Sequence, residues 1–523
     1  MRERISNPIL PGFYPDPSIC RVGEDYYLVT STFAYFPGVP IFHSKDLVHW
    51  EQIGNILDRE EQLKLFGAGH SLGIFAPTIR YHEGTFYMIT TNVGNGGNFI
   101  VTAKEPAGPW SNPYFLEGAE GIDPSLFFDD DGRCYYTGTK DRREGAEFLG
   151  DNEIWMQELN LETMSLVGET YPLWHGALRG VAWAEAPHMY KKDGMYYLMI
   201  AEAGTGHEHA ITIASSSDVT GPFKGYRCNP ILTHRHLGKN YPIVNVGHGD
   251  LVETQNGDWY MVALASRPYG GYYRNLGRET FLVPVEWEDG WPVVNPGKGI
   301  IEDTVEYPDL PLFTAEVIPE KEDFDDTKLP LRFLHLRNPN PHNYSLNERQ
   351  SYLRMYLAPE RITALVSPTY VGVRQTGMSF LLETKMEFTP TSMYEEAGLV
   401  LLQSNEFHYR LVVTIRDDKN VLLLIKCYEG NEEELAKMPI EESEDNDNGI
   451  RLRVVAEGQD LKFAVSYDSK SYQIIKAGVD GRMLSTDVAS GFVGNTLGLY
   501  CSSNLTETDN YADFDWLIYR NME

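Results

Sequence analysis

Apolar and polar residues alternate along most of this chain, and between Asn7 and Asp289 the alternation is organised as repeated copies of one small unit. Each copy has a short strand, a turn, and a second strand opening on paired aromatics. The turn halves are Glu24-Asp25-Tyr26-Tyr27, Glu83-Gly84-Thr85-Phe86-Tyr87, Asp131-Gly132-Arg133-Cys134-Tyr135, Asp193-Gly194-Met195-Tyr196-Tyr197 and Asn256-Gly257-Asp258-Trp259-Tyr260. The strands before them open at Asp16-Pro17-Ser18-Ile19, Ala76-Pro77-Thr78-Ile79, Asp123-Pro124-Ser125-Leu126, Ala186-Pro187-His188-Met189 and His248-Gly249-Asp250-Leu251. Strand-period runs bounded by Gly, Asp and Asn turns predict an all-β chain. Five copies at this spacing predict a radial array of small sheets, a five-bladed β-propeller. Helical periodicity is scarce; the best short candidate is Asp58 to Phe66.

From Ile301 to Pro330 the texture turns Pro-rich and acidic, which predicts a propeller over 1–305 and a linker over 306–325. Beyond it the aromatic-turn unit stops. Longer alternating segments follow, among them Phe380 to Phe388, Tyr409 to Ile415, Val421 to Tyr428 and Ile450 to Glu457. These predict a β-sandwich over 326–523. The acidic runs Glu432 to Glu434 and Glu441 to Asp447 read as solvated loops.

Superposing the five units brings Asp16, Asp123, Glu185 (one place early) and His248 to equivalent positions. In a propeller those positions converge on the central channel, so three acids and a histidine are expected in one pocket. A pair of carboxyl groups, one protonated and one ionised, is the minimal equipment for hydrolysing a glycosidic bond, and a third raises the pKa of the acid by repulsion. An Asp-Pro-Ser unit can equally cap a strand entry through an Asx-type hydrogen bond.

Charge narrows the partners. With 75 Asp and Glu against 44 Lys and Arg, the formal charge of −31 argues against nucleic acid, polyanionic substrates and anionic membrane surfaces. No apolar run is long enough to span a bilayer. The five cysteines are scattered with neither disulfide-framework nor zinc spacing, and no apolar leader opens the chain; both point to a cytoplasmic protein.

The motifs Asn7-Pro8-Ile9-Leu10-Pro11-Gly12-Phe13-Tyr14-Pro15-Asp16-Pro17-Ser18, Ser44-Lys45-Asp46-Leu47-Val48-His49-Trp50, Gly121-Ile122-Asp123-Pro124-Ser125, Glu185-Ala186-Pro187-His188-Met189-Tyr190 and Leu276-Gly277-Arg278-Glu279-Thr280 together resemble glycoside hydrolase family 43. The likeness is to its two-domain β-xylosidase and α-L-arabinofuranosidase members and runs over essentially the whole chain. It implies an inverting exo-glycosidase that releases terminal β-D-xylose or α-L-arabinofuranose from small oligosaccharides, with a concanavalin-like C-terminal domain and a homo-oligomeric assembly. Asp16 would be the general base, Glu185 the general acid, and Asp123 the residue that tunes and positions it. Phe33, Phe75, Thr205 and Arg278 would line the sugar subsite. His248 would stand near a calcium ion in the channel. Where many members carry Trp and a following Asp, this chain has Phe75 and Thr78. Where some close the pocket with a sandwich-loop aromatic, it has Thr496, which predicts a more open pocket. Two other readings stand beside this one: a carbohydrate-binding propeller without catalysis, and a fructan-cleaving propeller, whose Arg-Asp-Pro and Glu-Cys units this chain lacks.

Overall fold

The computed structural model describes residues 4–440, 449–468 and 470–522; the acidic run Glu441 to Asp447 lies outside them. Strands dominate, and the helical content of the described residues is one four-residue α-turn and two short 3-10 segments. Asp58 to Phe66 is a single turn rather than a helix. The Gln62 side chain accepts from the backbone N–H groups of Asp58 and Arg59, and Leu63 and Leu65 both point into the core between the first two blades. Two apolar side chains spaced by two suit an extended segment, not a helix face.

Five antiparallel sheets follow one another in chain order, the second of five strands and the other four of four. Their innermost strands are Ser18–Val22, Thr78–His82, Ile122–Phe128, Glu185–Lys192 and Val244–Glu253. Each touches the next, and the fifth touches the first, which closes the ring. The paired aromatics of the repeat open the second strand of each blade. There residues such as Tyr26, Phe86, Tyr135, Tyr197 and Tyr260 are buried in the clusters between blades. Arg4–Ser6 pairs with Thr304–Glu306, so the N-terminal segment is tied beside the last blade.

One buried carboxylate knits the ring. Asp250, on the fifth inner strand, accepts from Ser18 Oγ (2.7 Å) and Ile19 N of the first blade, Arg80 Nη1 (2.9 Å) of the second, and Tyr190 Oη (2.6 Å) of the fourth. Burial opposes its ionisation, but the Arg80 guanidinium together with His188 and the Tyr190 hydrogen bond outweighs that and holds Asp250 well below the usual carboxylate range.

The chain from 307 to 320 crosses without regular strands, and Lys321–Glu322 already pairs with Tyr511–Asn521. The sandwich has one sheet centred on Tyr511–Asn521, Phe380–Glu387 and Ile450–Glu457, and a second containing Thr369–Arg374, Thr496–Ser502, Glu396–Ser404, Phe407–Arg416, Lys419–Tyr428 and Asn431–Pro439. Leu382, Leu399, Leu411, Leu452, Phe463, Leu499 and Phe514 fill the space between them. The other face of the second sheet packs Val400, Leu402, Val412, Leu423 and Tyr500 against Phe13, Phe33 and Tyr35 of the propeller. The inner strands of that sheet are buried on both faces, so Glu396–Ser404, Lys419–Tyr428 and Thr496–Ser502 carry nearly continuous apolar runs, whereas the edge strand Asn431–Pro439 is largely exposed.

Candidate active site

The inner strands are distorted where their acids sit. Ladder register shifts between Ile122 and Ser125, between Glu185 and His188, and around Gly247. Asp16, Asp123, Ala186 and His248 all have positive φ, 54°, 52°, 53° and 45°. Non-glycine residues avoid this region, and such bulges re-aim a side chain off the ladder. The equivalent position in the fourth blade is Ala186, and Glu185 is its neighbour. The one-residue offset in the repeat is therefore a feature of the backbone.

The three acids share one site. Asp16 is buried; its Oδ1 accepts from Arg278 Nη1 at 2.6 Å and its Oδ2 from Ser31 Oγ at 2.6 Å. Burial pushes its pKa up, but the charges of Arg278 and His248 and the Ser31 hydrogen bond win, so the net shift is downward. Asp123 moves the other way, to about 7: burial comes first, then the charge of Asp16, only partly offset by Arg278 and by the Ala186 N–H that its carboxylate accepts. Glu185 stands well above an ordinary glutamate, through burial and then the charges of Asp123 and Asp16. One arginine touches all three balances but bonds only Asp16, and that asymmetry separates an ionised carboxylate from two proton-holding ones.

Around them lie the predicted sugar-contacting residues. Arg278 Nη1 also reaches Thr205 Oγ1 at 3.4 Å. Phe33 and Phe75 rings are 5.1 Å apart. Phe33 is almost fully buried and forms the back of this wall, while Phe75 is half-buried and keeps a free surface.

The sandwich completes the pocket, contrary to the expectation from Thr496. Thr496 is buried and hydrogen-bonded to Tyr35 Oη at 2.9 Å. Phe492, four residues earlier, supplies the aromatic: its ring lies 5.9 Å from Phe33 and 6.0 Å from Phe75, with the Arg278 guanidinium 5.7 Å from its centroid. Its backbone is fastened to the propeller, with Phe492 N donating to Ser71 Oγ at 2.9 Å and its carbonyl accepting from Arg278 Nη2 at 3.4 Å. The pocket is walled on this side rather than open.

His248 Nδ1 lies 3.8 Å from Asp16 Oδ1, and burial lowers its pKa. The neighbouring oxygens are already committed, Asp16 to Arg278 and Ser31, Asp250 to four partners. Among the described residues no three His, Cys, Asp or Glu side chains converge as a metal site would need. This donor set does not fit a hard cation, which wants several oxygens, and no chemical step is routed through one.

Comparison with known proteins agrees with this architecture at both ends of the chain. The profile of glycosyl hydrolases family 43 matches residues 5–292, and that of the beta xylosidase C-terminal concanavalin A-like domain matches 321–520. The chain belongs to glycosyl hydrolase family 43. Within the family it is 52% identical over 517 residues to a xylosidase/arabinosidase of Butyrivibrio fibrisolvens, covering 98% of each chain. It is 38% identical to a non-reducing end alpha-L-arabinofuranosidase of Bacteroides ovatus, covering 100% of this chain and 96% of the other. The crystal structure of a xylan beta-1,4-xylosidase from Bacillus halodurans superposes with a TM-score of 0.92 at 39% identity, over 99% of this chain and 100% of that one. This family 43 chain is thus a glycoside hydrolase with a propeller and a concanavalin-like sandwich.

Proposed function

We propose that the enzyme releases single terminal pentoses, β-D-xylose or α-L-arabinofuranose, from the non-reducing ends of short hemicellulosic oligosaccharides, with inversion at the anomeric carbon. The observation that carries this reading is the opposed ionisation of Asp16 and Glu185 within one walled pocket. Two titratable groups pushed apart in this way mark the base and the acid.

Asp16, held as a carboxylate by Arg278 and Ser31, takes a proton from a water molecule as that water attacks the anomeric carbon. Glu185, holding its proton, gives it to the glycosidic oxygen as the bond to the leaving group breaks. One water is consumed, and proton exchange with solvent restores both groups. Inversion requires the two carboxyls to stand roughly 6.5–9.5 Å apart so that the water fits between them. As Asp123 ionises near pH 7 its charge helps Glu185 keep its proton, and its bond from Ala186 N fixes the start of the acid's strand. Arg278 and Thr205 offer hydrogen bonds to sugar hydroxyls, and Phe75 and Phe492 offer surfaces for sugar C–H faces. The names of the relatives cover both pentoses, which supports dual activity. A cytoplasmic setting would make the natural substrate an imported oligosaccharide rather than polymer. No helix of the described residues is long and apolar enough to cross a membrane.

The test is turnover of aryl β-D-xyloside and aryl α-L-arabinofuranoside, with the product anomer followed by NMR. Wild type is expected to hydrolyse at least one with inversion, and Glu185→Gln to lose on the order of a thousand-fold on substrates with poor leaving groups. An inert wild type, or a retained anomer, removes the proposal.

A further inference from the structure

Trp183 lies two residues before Glu185 and is the exposed one of the nine tryptophans, at 45%. An indole left in water costs free energy unless something covers it. The surrounding chain is built to hold it there. Trp183 has a φ of 60°, unusual for an aromatic residue, and its N–H donates to Gly150 O at 2.6 Å. The preceding Ala182 carbonyl accepts from Ala203 N at 2.9 Å.

The ring is seated on two glycines. A Cβ at Gly204 would lie 2.7 Å from Trp183 Cε3, and one at Gly150 would lie 2.7 Å from its Nε1. Both positions have φ above 60°, so glycine serves the backbone and the ring together. The start of this loop is pinned as well: the buried Glu202 carboxylate accepts from Ala177 N (2.6 Å), Leu178 N (2.9 Å) and Thr212 Oγ1 (2.5 Å). A strained, clamped and exposed indole is a preorganised surface rather than a loose loop residue.

Its location says what it faces. Gly204, under one edge of the ring, adjoins Thr205, which touches Arg278 in the pocket. Glu185 hands its proton to the glycosidic oxygen, so the segment leading into Glu185 borders the leaving-group side of that bond. We infer that Trp183 is the platform on which the leaving-group sugar stacks, making the preferred substrate a pentose carried on a pyranose ring rather than on a small alcohol. A pyranose presents a face of C–H groups that matches an indole face. This inference rests on the pentosidase reading above.

The experiment compares kcat/KM of wild type, Trp183→Ala and Trp183→Tyr on two substrates of whichever pentose wild type releases faster. One is the pentosyl fluoride, whose leaving group has no ring; the other is the pentose linked to a pyranose. Trp183→Ala is expected to lose roughly ten-fold more on the disaccharide than on the fluoride, the size of one aromatic stacking contact, and Trp183→Tyr to recover most of it. In the Glu185→Gln background, the disaccharide should change tryptophan fluorescence, free pentose should not, and adding Trp183→Ala should abolish the signal. Equal losses on the two substrates, or a fluorescence change independent of Trp183, overturn this inference and leave the pentosidase reading standing. A wild type inert on both overturns that reading, and the platform with it.

Discussion

Asp123 keeps its proton at a pH where an ordinary aspartate has lost it, because burial and the Asp16 charge raise its pKa from 3.8 to about 7. Below about pH 4 the carboxyl is protonated in folded and unfolded chains alike. Between there and about pH 7 the unfolded chain releases the proton more readily, so folding stability falls as pH rises through that window. Asp123→Asn removes the titration. Its melting temperature should therefore gain on wild type by a few degrees between about pH 4 and pH 8. The alkaline limb of its activity profile should move to lower pH, since one of the charges retaining the Glu185 proton is gone. A limb that stays put, or a melting difference that ignores pH, would remove Asp123 from its tuning role. These acids were legible in the sequence because the repeat marks them: Asp16 and Asp123 open identical Asp-Pro-Ser units, and Glu185 sits one place early for a reason the Ala186 backbone supplies. Phe492 and Trp183 were not legible. What sets them apart is exposure beside a pocket, and no local pattern separates such an aromatic from a core one.

The innermost strands carry a second design, invisible in any one blade. Asp250 receives hydrogen bonds from three other blades, and the Arg80 guanidinium it neutralises is itself largely buried. Removing one partner of such a pair leaves the other charge stranded in a low-dielectric interior. Asp250→Ala should cost roughly 3 kcal/mol, measured by denaturant unfolding; a variant as stable as wild type would show that the ring does not depend on this tie. The strands themselves were readable from period-two patterning and turn residues. The misread segment, Asp58 to Phe66, is one where polar residues cluster around a single turn while Leu63 and Leu65 satisfy a core formed by residues far along the chain. Local propensity is a weak prior there, and tertiary burial overrides it.

Propeller and sandwich are docked through specific polar contacts as well as an apolar face. Arg337 is fully buried and donates to Ala68 O (2.7 Å), Val366 O (2.7 Å) and Asn405 Oδ1 (2.9 Å), and His335–Leu336 pairs with Tyr35–Phe36 as a small interdomain sheet. Arg274 pairs with Asp487 at 2.9 Å close to the loop that carries Phe492. That docking, not the composition of either domain, places an aromatic from the sandwich over the sugar pocket. Phe492→Ala should lower kcat/KM about ten-fold with little change in melting temperature, since the ring is part-exposed and the loop backbone keeps its bonds to Ser71 and Arg278. Unchanged kinetics would mean that the sugar never meets this wall. Arg278 bonds both Asp16 and the Phe492 carbonyl, so one side chain joins the base to a loop of the other domain. Exchanging that single loop therefore offers a way to change appetite while leaving the reacting acids untouched.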